Sequence, residues 1–263
     1  MTRDPSDPAA KPFLVEGRTS AFAHRGDSAA RPPGNRRSAF ASAVETGFDH
    51  IESDAHLTAD GEVVLFHDDR LDDETTASGA LAEATWAQLA EVRYRVDGTT
   101  LDEGPMRFAE VLEEWPDVFW NIDAKHDRVV EPLVDVVRRA GASDRVLLTA
   151  FSWRRLRRLR RVAGADVATG HSRSELFALR ALAWLRIPLP GWGDAVQLPD
   201  VWKGLTVVDE RFVGACHRAG VAVHVWTVND AERMNRLFDR GVDGVMTDRP
   251  LVLRSVLQQR GRW

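Results

Sequence analysis

The segment VAVHVWTVND AERMNRLFDR GVDGVMTDRP, residues 221–250, carries the pattern that decides the fold. An apolar run at Val221–Val228 predicts a strand, a periodic run at Asp230–Arg240 predicts a helix, and Gly244–Thr247 predicts a second strand. Gly241 lies just past the periodic run, which is typical of a helix end. The segment therefore predicts one unit of a fold in which strands and helices alternate.

The same alternation extends over the whole chain. Further strands are predicted at Ser20–His24, His50–Thr58, Val118–Ala124, Arg145–Ala150, Asp166–Gly170 and Ala195–Leu198. Further helices are predicted at Arg36–Thr46, Asp127–Ala140, Ser152–Ala163, Arg173–Leu185, Asp209–Ala219 and Arg249–Gln258. Eight strands alternating with helices over roughly 250 residues predict an α/β fold of the (β/α)8 TIM barrel type. A doubly wound open sheet gives the same alternation and is the alternative.

Two stretches do not follow this alternation of strands and helices. After the second strand come a turn at Ala59–Gly61 and a returning strand at Glu62–Phe66, and the mixed, polar residues 68–106 then predict a small insertion. Residues 1–12 are polar and proline-rich, which predicts a flexible N-terminal tail before a barrel domain at residues 13–263.

Composition narrows the class of protein. Apolar residues make up 44% of the chain and charged residues 29%, which is typical of a folded globular protein. A net charge of −5 argues against a nucleic-acid partner, because neutralising phosphates needs a basic surface. The single cysteine, Cys216, excludes a disulfide framework and a cysteine-based zinc site.

Hydropathy predicts a cytoplasmic protein without a membrane span. The first residues contain no apolar run of the kind found in signal peptides. The most apolar stretch, Leu176–Leu189, is interrupted by Arg180 and Arg186 and is too short to cross a bilayer. We expect that stretch to pack on the barrel or to form a subunit contact, and the alternative is that part of it lines an entrance for lipid-like substrate tails.

Acidic side chains concentrate at the predicted strand ends, where a barrel has its active site. Glu52 and Asp54 are two residues apart in a strand and point to the same side, so their carboxylates need a positive group between them. A salt bridge or an exposed polar face is one interpretation. The other is a divalent cation with Asp123 as third ligand, for which an all-carboxylate set favours Mg²⁺ or Ca²⁺. His56 shares the same side of the strand and is an alternative ligand.

Two histidines, His24 and His67, lie at predicted strand ends close to acidic residues. A single histidine is more often a packing or surface residue than a catalyst. A pair can hold opposite protonation states near neutral pH, so that one accepts a proton while the other donates one. A cation, Arg25 and Lys125 beside such a pair suit a phosphate ester.

Four segments in order make the chain similar to the glycerophosphodiester phosphodiesterase family. They are AHRGDSAARPPGNRRSAF (23–40), GFDHIESDAHLTADGEVVLFHDDRL (47–71), FWNIDAK (119–125) and VHVWTVNDAERMNRLFDRGVDGVMTDRP (223–250). The resemblance implies a barrel with a small insertion and hydrolysis of small-molecule glycerophosphodiesters to sn-glycerol 3-phosphate and an alcohol. By motif match it implies an acid–base pair (His24 and His67), ligands for one Ca²⁺ or Mg²⁺ (Glu52, Asp54 and Asp123), phosphate-site residues (Arg25 and Lys125) and an aromatic wall (Trp226).

Two departures from the family pattern bear on the site. Pro33-Gly34-Asn35-Arg36 stands where the family has Pro-Glu-Asn-Thr, so a carboxylate is missing and we expect Arg36 to add positive charge near the entrance. Asp123 replaces the usual glutamate and is one methylene shorter. A lysophospholipid-directed phosphodiesterase and a non-catalytic phosphoester-binding barrel are the alternative functions.

Six arginines crowd the predicted helix Ser152–Ala163. Leu156, Leu159 and Ala163 form its apolar stripe, which predicts a solvated outer helix of the barrel. The alternative is peripheral contact with an anionic partner such as a phospholipid headgroup layer. The oligomeric state is not readable from these patterns.

Overall fold

Eight parallel strands form the barrel in the computed structural model, which describes residues 11–14 and 19–263. The strands are β1 (Ser20–His24), β2 (His50–Leu57), β3 (Phe119–Ala124), β4 (Val146–Thr149), β5 (Ala168–Thr169), β6 (Ala195–Leu198), β7 (Ala222–Val225) and β8 (Gly244–Thr247). They are hydrogen-bonded in the order β6-β7-β8-β1-β2-β3-β4-β5. Since β1 pairs in parallel with both β8 and β2, the (β/α)8 prediction is confirmed and the doubly wound alternative is wrong.

The seam of the barrel lies between β5 and β6. There the Asp194 amide donates to the Thr169 carbonyl at 2.8 Å, and the Thr169 amide donates to the Asp194 carboxylate at 2.8 Å. Lys11 donates to the same carboxylate at 2.8 Å. The end of the predicted tail thus contacts the barrel, while residues 1–10 lie outside the described residues.

Each strand is followed by a helix on the outside of the barrel. The helices are α1 (Arg37–Glu45), α2 (Phe108–Glu114), α3 (Val130–Arg139), α4 (Trp153–Ala163), α5 (Arg173–Trp184), α6 (Glu210–Arg218), α7 (Ala231–Asp239) and α8 (Pro250–Gln259). Ser152, Asp209 and Asp230 accept a backbone hydrogen bond at the starts of α4, α6 and α7. Sequence reasoning missed α2, although Phe108, Val111 and Leu112 have helical spacing.

Alternate residues of the strands fill the barrel in layers. Phe22, Leu147 and Met246 form a buried apolar cluster inside, with Phe13 of the short 3₁₀ helix Pro12–Leu14 packed against it. Because side chains of a strand alternate, the inward residues that follow Phe22 and Met246 are His24 and Asp248. The apolar layer, with the buried rings of His50 and His224 packed on Phe22, therefore closes the lower barrel. His24 and Asp248 lie above it, at the carboxyl ends of their strands.

Residues 68–106 follow a strand that is added antiparallel to β2. The returning strand Val63–Leu65 pairs with β2 and with Met106–Arg107. Within the segment lie a short helix, Trp86–Leu89, and a two-stranded ribbon, Arg95–Val96 with Thr99–Thr100. Its separate apolar cluster comprises Val64, Phe66, Leu71, Leu81, Leu89, Val92 and Tyr94. The Tyr94 hydroxyl donates to the Asn35 carbonyl at 3.3 Å, so this cluster contacts the loop after β1.

The arginines of α4 partly serve packing against neighbouring elements. Arg155 donates to Asp127 at 2.8 Å, and Arg158 donates to Glu131 at 2.7 Å. Arg160 donates to Glu175 and to the Gly170 carbonyl, both at 2.6 Å. These ion pairs suit an outer helix of the barrel. Across the described ranges, no helix has the length and apolar character that crossing a membrane would need.

Candidate active site

A cavity of about 420 Å³ opens at the carboxyl ends of the strands. All the side chains predicted for the site line it: His24, Arg25, Glu52, Asp54, His67, Asp123, Lys125 and Trp226. Most of them lie on β1, β2 and β3 or directly after β1 and β3. His67 lies in the loop after Val63–Leu65, and Trp226 directly follows β7. Parallel strands bring these distant segments together because their carboxyl ends meet at one rim.

The carboxylates of β2 and β3 face one another across a lysine. Asp54 and Asp123 are register partners on the two strands. Lys125 Nζ lies 2.7 Å from Asp54 Oδ1 and 3.0 Å from Asp123 Oδ2. Arg25 Nε lies 3.4 Å from Asp54 Oδ2. The positive group required between the carboxylates is thus supplied, for these two, by Lys125.

Burial and neighbouring charges shift the pKa values of the three acids Glu52, Asp54 and Asp123. Burial, with the Asp54 charge beside it, raises the pKa of Glu52 to about 7. Burial likewise raises the pKa of Asp123 to about 6 despite Lys125. Burial also opposes ionisation of Asp54, but Lys125 and Arg25 hold its pKa below the usual value. Among the residues that the structure describes, Glu52 Oε2 and Asp123 Oδ1 are buried without a hydrogen-bond partner, so the oxygen-rich group retains capacity for a further cation.

His56 does not join this group, and its prediction as an alternative ligand of the same site is wrong. It is fully buried on β2 but lies outside the cavity lining. The reason is that β2 continues past the barrel, where His56 pairs with Val64 of the returning strand.

His24 is held by a carboxylate that sequence reasoning missed. Its Nδ1 lies 2.6 Å from Asp248 Oδ1, and its Nε2 lies 3.6 Å from Glu52 Oε2. Burial opposes protonation of His24, but Glu52 and the Asp248 hydrogen bond outweigh it and raise the pKa. Burial opposes ionisation of Asp248, but the hydrogen bonds from His24 and from the Asn229 amide at 2.7 Å lower its pKa to about 2. Asp248 directly follows β8, and this strand-end position is the signal that could have identified it.

His67 has a matching arrangement with its neighbour in sequence. Its Nδ1 lies 2.5 Å from Asp68 Oδ1, and the imidazole is partly exposed to the cavity. A carboxylate accepts hydrogen bonds, so Nδ1 carries the proton in both histidines. Nε2 is then the nitrogen left for proton exchange in each ring.

The departure at Pro33–Arg36 has a structural basis. A Cβ atom on Gly34 would lie 2.5 Å from Arg25 Cβ, so a side chain there would displace Arg25. Asn35 donates to Asp54 at 3.1 Å and accepts from Ser53 at 2.7 Å, which fixes the Asp54 carboxylate. The expectation that Arg36 adds charge at the entrance is wrong, since Arg36 is buried and paired with Glu103 of residues 68–106.

One wall of the cavity is apolar and partly exposed. Trp226 meets Phe151 edge-on at a ring distance of 5.9 Å, and Phe177 meets Trp202 at 5.1 Å. Trp202 belongs to a hairpin, Val201–Trp202 with Leu205–Thr206, that sequence reasoning did not predict. Leu176, Val207, Arg173 and Arg180 also line this side. The cavity therefore joins a charged end to an apolar end.

Comparison with known proteins gives a consistent result. Residues 24–252 match the model of the glycerophosphoryl diester phosphodiesterase family. The chain is 37% identical to "Probable glycerophosphodiester phosphodiesterase 2" of Mycobacterium tuberculosis, over 95% of each chain. It is 29% identical to a glycerophosphodiester phosphodiesterase of Caldanaerobacter subterraneus, over 93% of this chain and 100% of the relative.

A solved structure shares the fold. It is an Oleispira antarctica phosphodiesterase in complex with the product sn-glycerol-3-phosphate. The TM-score is 0.71 at 21% identity, and the match covers 91% of this chain and 96% of the other.

Proposed function

Because the chain belongs to the glycerophosphoryl diester phosphodiesterase family, we propose that it hydrolyses glycerophosphodiesters to sn-glycerol 3-phosphate and an alcohol. The protein is a phosphoric diester hydrolase by this membership. The observation that carries the finer proposal is the pair of imidazoles, His24 and His67, each hydrogen-bonded through Nδ1 to a carboxylate and each lining the same cavity.

The two histidines are proposed to perform the proton transfers of the hydrolysis. Breaking the phosphodiester requires that a proton leave the attacking oxygen and that another reach the departing alcohol oxygen. One imidazole accepts the first proton at Nε2, and the other donates the second from Nε2. Asp248 and Asp68 hold the two rings in orientation, and Asp248 also stabilises the protonated state of His24.

Glu52, Asp54 and Asp123 are proposed to hold one divalent cation, Ca²⁺ or Mg²⁺. Glu52 Oε2 and Asp123 Oδ1, which accept no hydrogen bond within the described part of the chain, support this, because buried carboxylate oxygens without donors are stabilised by a cation. When bound, such an ion neutralises charge on nonbridging phosphate oxygens. Asp123 and Asp54 also retain Lys125 as a shared partner.

Arg25 and Lys125 are proposed to attract the phosphate group to the charged end of the cavity. Arg173, from α5, adds positive charge to the mainly apolar side of the lining, where Arg180 is paired with Asp209. The apolar end, with Trp226, is left for the alcohol part of the substrate. The comparisons do not favour the lysophospholipid-directed and non-catalytic alternatives.

The test is turnover of glycerophosphocholine, with enzymatic detection of glycerol 3-phosphate, in the presence of Ca²⁺ or Mg²⁺. Changing His24→Ala or His67→Ala should each lower kcat by about 10²–10⁴-fold, the range for acid–base groups. His217→Ala, on the exposed surface of α6, is the matched control and should keep activity. Turnover absent from the parent chain would favour the non-catalytic alternative. Wild-type kcat in either site variant would refute the acid–base assignment.

A further inference from the structure

A second group of metal-binding side chains lies beside His67 but outside the cavity lining. It comprises His56 of β2, Asp69 in the loop after the returning strand, and His126 just after β3. One ligand atom from each of these side chains lies within 4.8 Å of the others. Ligands of a common tetrahedral ion are roughly 3.3–3.5 Å apart, so small side-chain movements would bring the three onto one ion.

His56 is set up as a ligand by its hydrogen bonds. Its Nε2 lies 3.2 Å from the carbonyl oxygen of His67, and since a carbonyl only accepts, Nε2 carries the proton. Nδ1 then has a free lone pair, and among the described residues it is buried without a hydrogen-bond partner. A histidine that donates one ring nitrogen to a backbone carbonyl and presents the other is the usual arrangement at a metal ion.

The two remaining members already lie in contact. His126 Nε2 is 3.1 Å from Asp69 Oδ1, and the rings of His126 and His56 meet at 4.9 Å between centroids. Asp69 is largely exposed and His126 partly so, which leaves a path for an ion to enter. An ordinary surface ion pair would account for Asp69 and His126, but not for the unpartnered Nδ1 of the buried His56.

We propose that His56, Asp69 and His126 form a Zn²⁺ site distinct from the carboxylate group of the cavity. Two imidazole nitrogens and one carboxylate oxygen suit Zn²⁺, with water as fourth ligand, whereas the all-oxygen group in the cavity suits Ca²⁺ or Mg²⁺. The two sites therefore differ in the chemistry of the ion that each selects.

The position of the site indicates what the ion would do. It joins β2, the start of residues 68–106 and the end of β3, three segments that meet around the backbone of His67. Zinc there would strengthen the placement of His67 without touching substrate.

The test uses the full chain, stripped of metal, saturated with Mg²⁺ and titrated with Co²⁺ as a spectroscopic substitute for Zn²⁺. We expect visible absorption typical of tetrahedral cobalt, saturating at one equivalent and lost on adding Zn²⁺. His126→Gln and Asp69→Asn should each weaken binding at least about tenfold. Both positions are solvent-accessible, so the test does not depend on a variant of the buried His56.

Two control variants distinguish this site from others. Asp72→Asn removes a carboxylate of the same segment that caps the Gly79 amide at 3.1 Å, and Glu52→Gln removes one in the cavity. Both should keep the cobalt spectrum. Absence of the spectrum in the parent chain, its loss in either control, or its persistence in His126→Gln and Asp69→Asn would each overturn the proposal. None of these readouts depends on phosphodiesterase activity.

Discussion

Replacing Asp248 with asparagine tests the arrangement of the site most directly, because it removes a charge and almost no volume. Asp248 accepts from His24 on one oxygen and from the Asn229 amide on the other. Asn229 cannot turn over, since its Oδ1 already accepts from the Thr247 hydroxyl and the Asp248 amide at 2.9 Å each. An asparagine at 248 must therefore present its oxygen to Asn229 and its NH₂ group to His24.

That orientation reverses the proton position on His24. Its Nδ1 would have to accept, so the proton would move to Nε2, and the doubly protonated ring would lose the carboxylate to which it is hydrogen-bonded. A hydrogen bond to a charged group contributes about 1.5–3 kcal/mol. At about 1.4 kcal/mol per factor of ten, kcat should fall about 10–150-fold. The loss is expected whether His24 is the acid or the base, because both roles pass through the protonated ring.

The assay is kcat for glycerophosphocholine as a function of pH, combined with thermal unfolding of each variant. Asp194→Asn is the matched control, since Asp194 is also a partly buried, ion-paired aspartate but lies at the opposite end of the barrel. It should lower stability and leave kcat unchanged. A wild-type kcat and pH profile in Asp248→Asn, or an equal loss of kcat in both variants, would refute the reasoning.

Four further predictions concern stability, its pH dependence and metal dependence. Arg160→Ala leaves the Glu175 carboxylate buried without its ion pair, so the free energy of unfolding in urea should fall by about 3–5 kcal/mol. Arg161 is exposed, so Arg161→Ala is the control and should change this free energy little. Similar losses in both variants would contradict the prediction. Gly34→Ala places a Cβ against Arg25, which should lower the free energy of unfolding by about 1–3 kcal/mol and lower kcat. Gly191→Ala is the control and should change neither quantity, because among the described residues the nearest atom to its Cβ would be 3.9 Å away. The folded-state pKa of Asp248, about 2, lies below its unfolded value, so its contribution is present at neutral pH and is lost as the pH falls. From about pH 5 to about pH 3 the parent should lose about 1 kcal/mol more stability than Asp248→Asn. Chelator should abolish turnover, with recovery on adding Ca²⁺ or Mg²⁺; full activity without a divalent ion would contradict the proposed ligand role of Glu52, Asp54 and Asp123.

Much of the fold follows from patterns that are local in the sequence. Strand and helix periods differ, so β1, β6 and β8 were predicted with the bounds that the structure has. The weaker predictions lie where side chains are paired over long distances. The helix α2 and the hairpin at Val201–Thr206 are short, and a short element carries too few residues for its period to be recognised.

The sequence alone likewise predicted which types of residue line the site. Alternation in β2 places Glu52 and Asp54 on one side, and position at strand ends places His24 and Asp123 near a shared rim. The same rule failed for His56, because alternation does not tell where a strand leaves the barrel.

Which side chain contacts which was decided only by the tertiary structure. Asp248 is hydrogen-bonded to His24 although the two are 224 residues apart in the sequence. Lys125 contacts Asp54 of the neighbouring strand, and Arg36 is paired with Glu103 and does not face the entrance of the cavity. The period of a sequence specifies the face on which a side chain lies. Its partner across the barrel depends on strand register and loop path, which are set by packing of the whole chain.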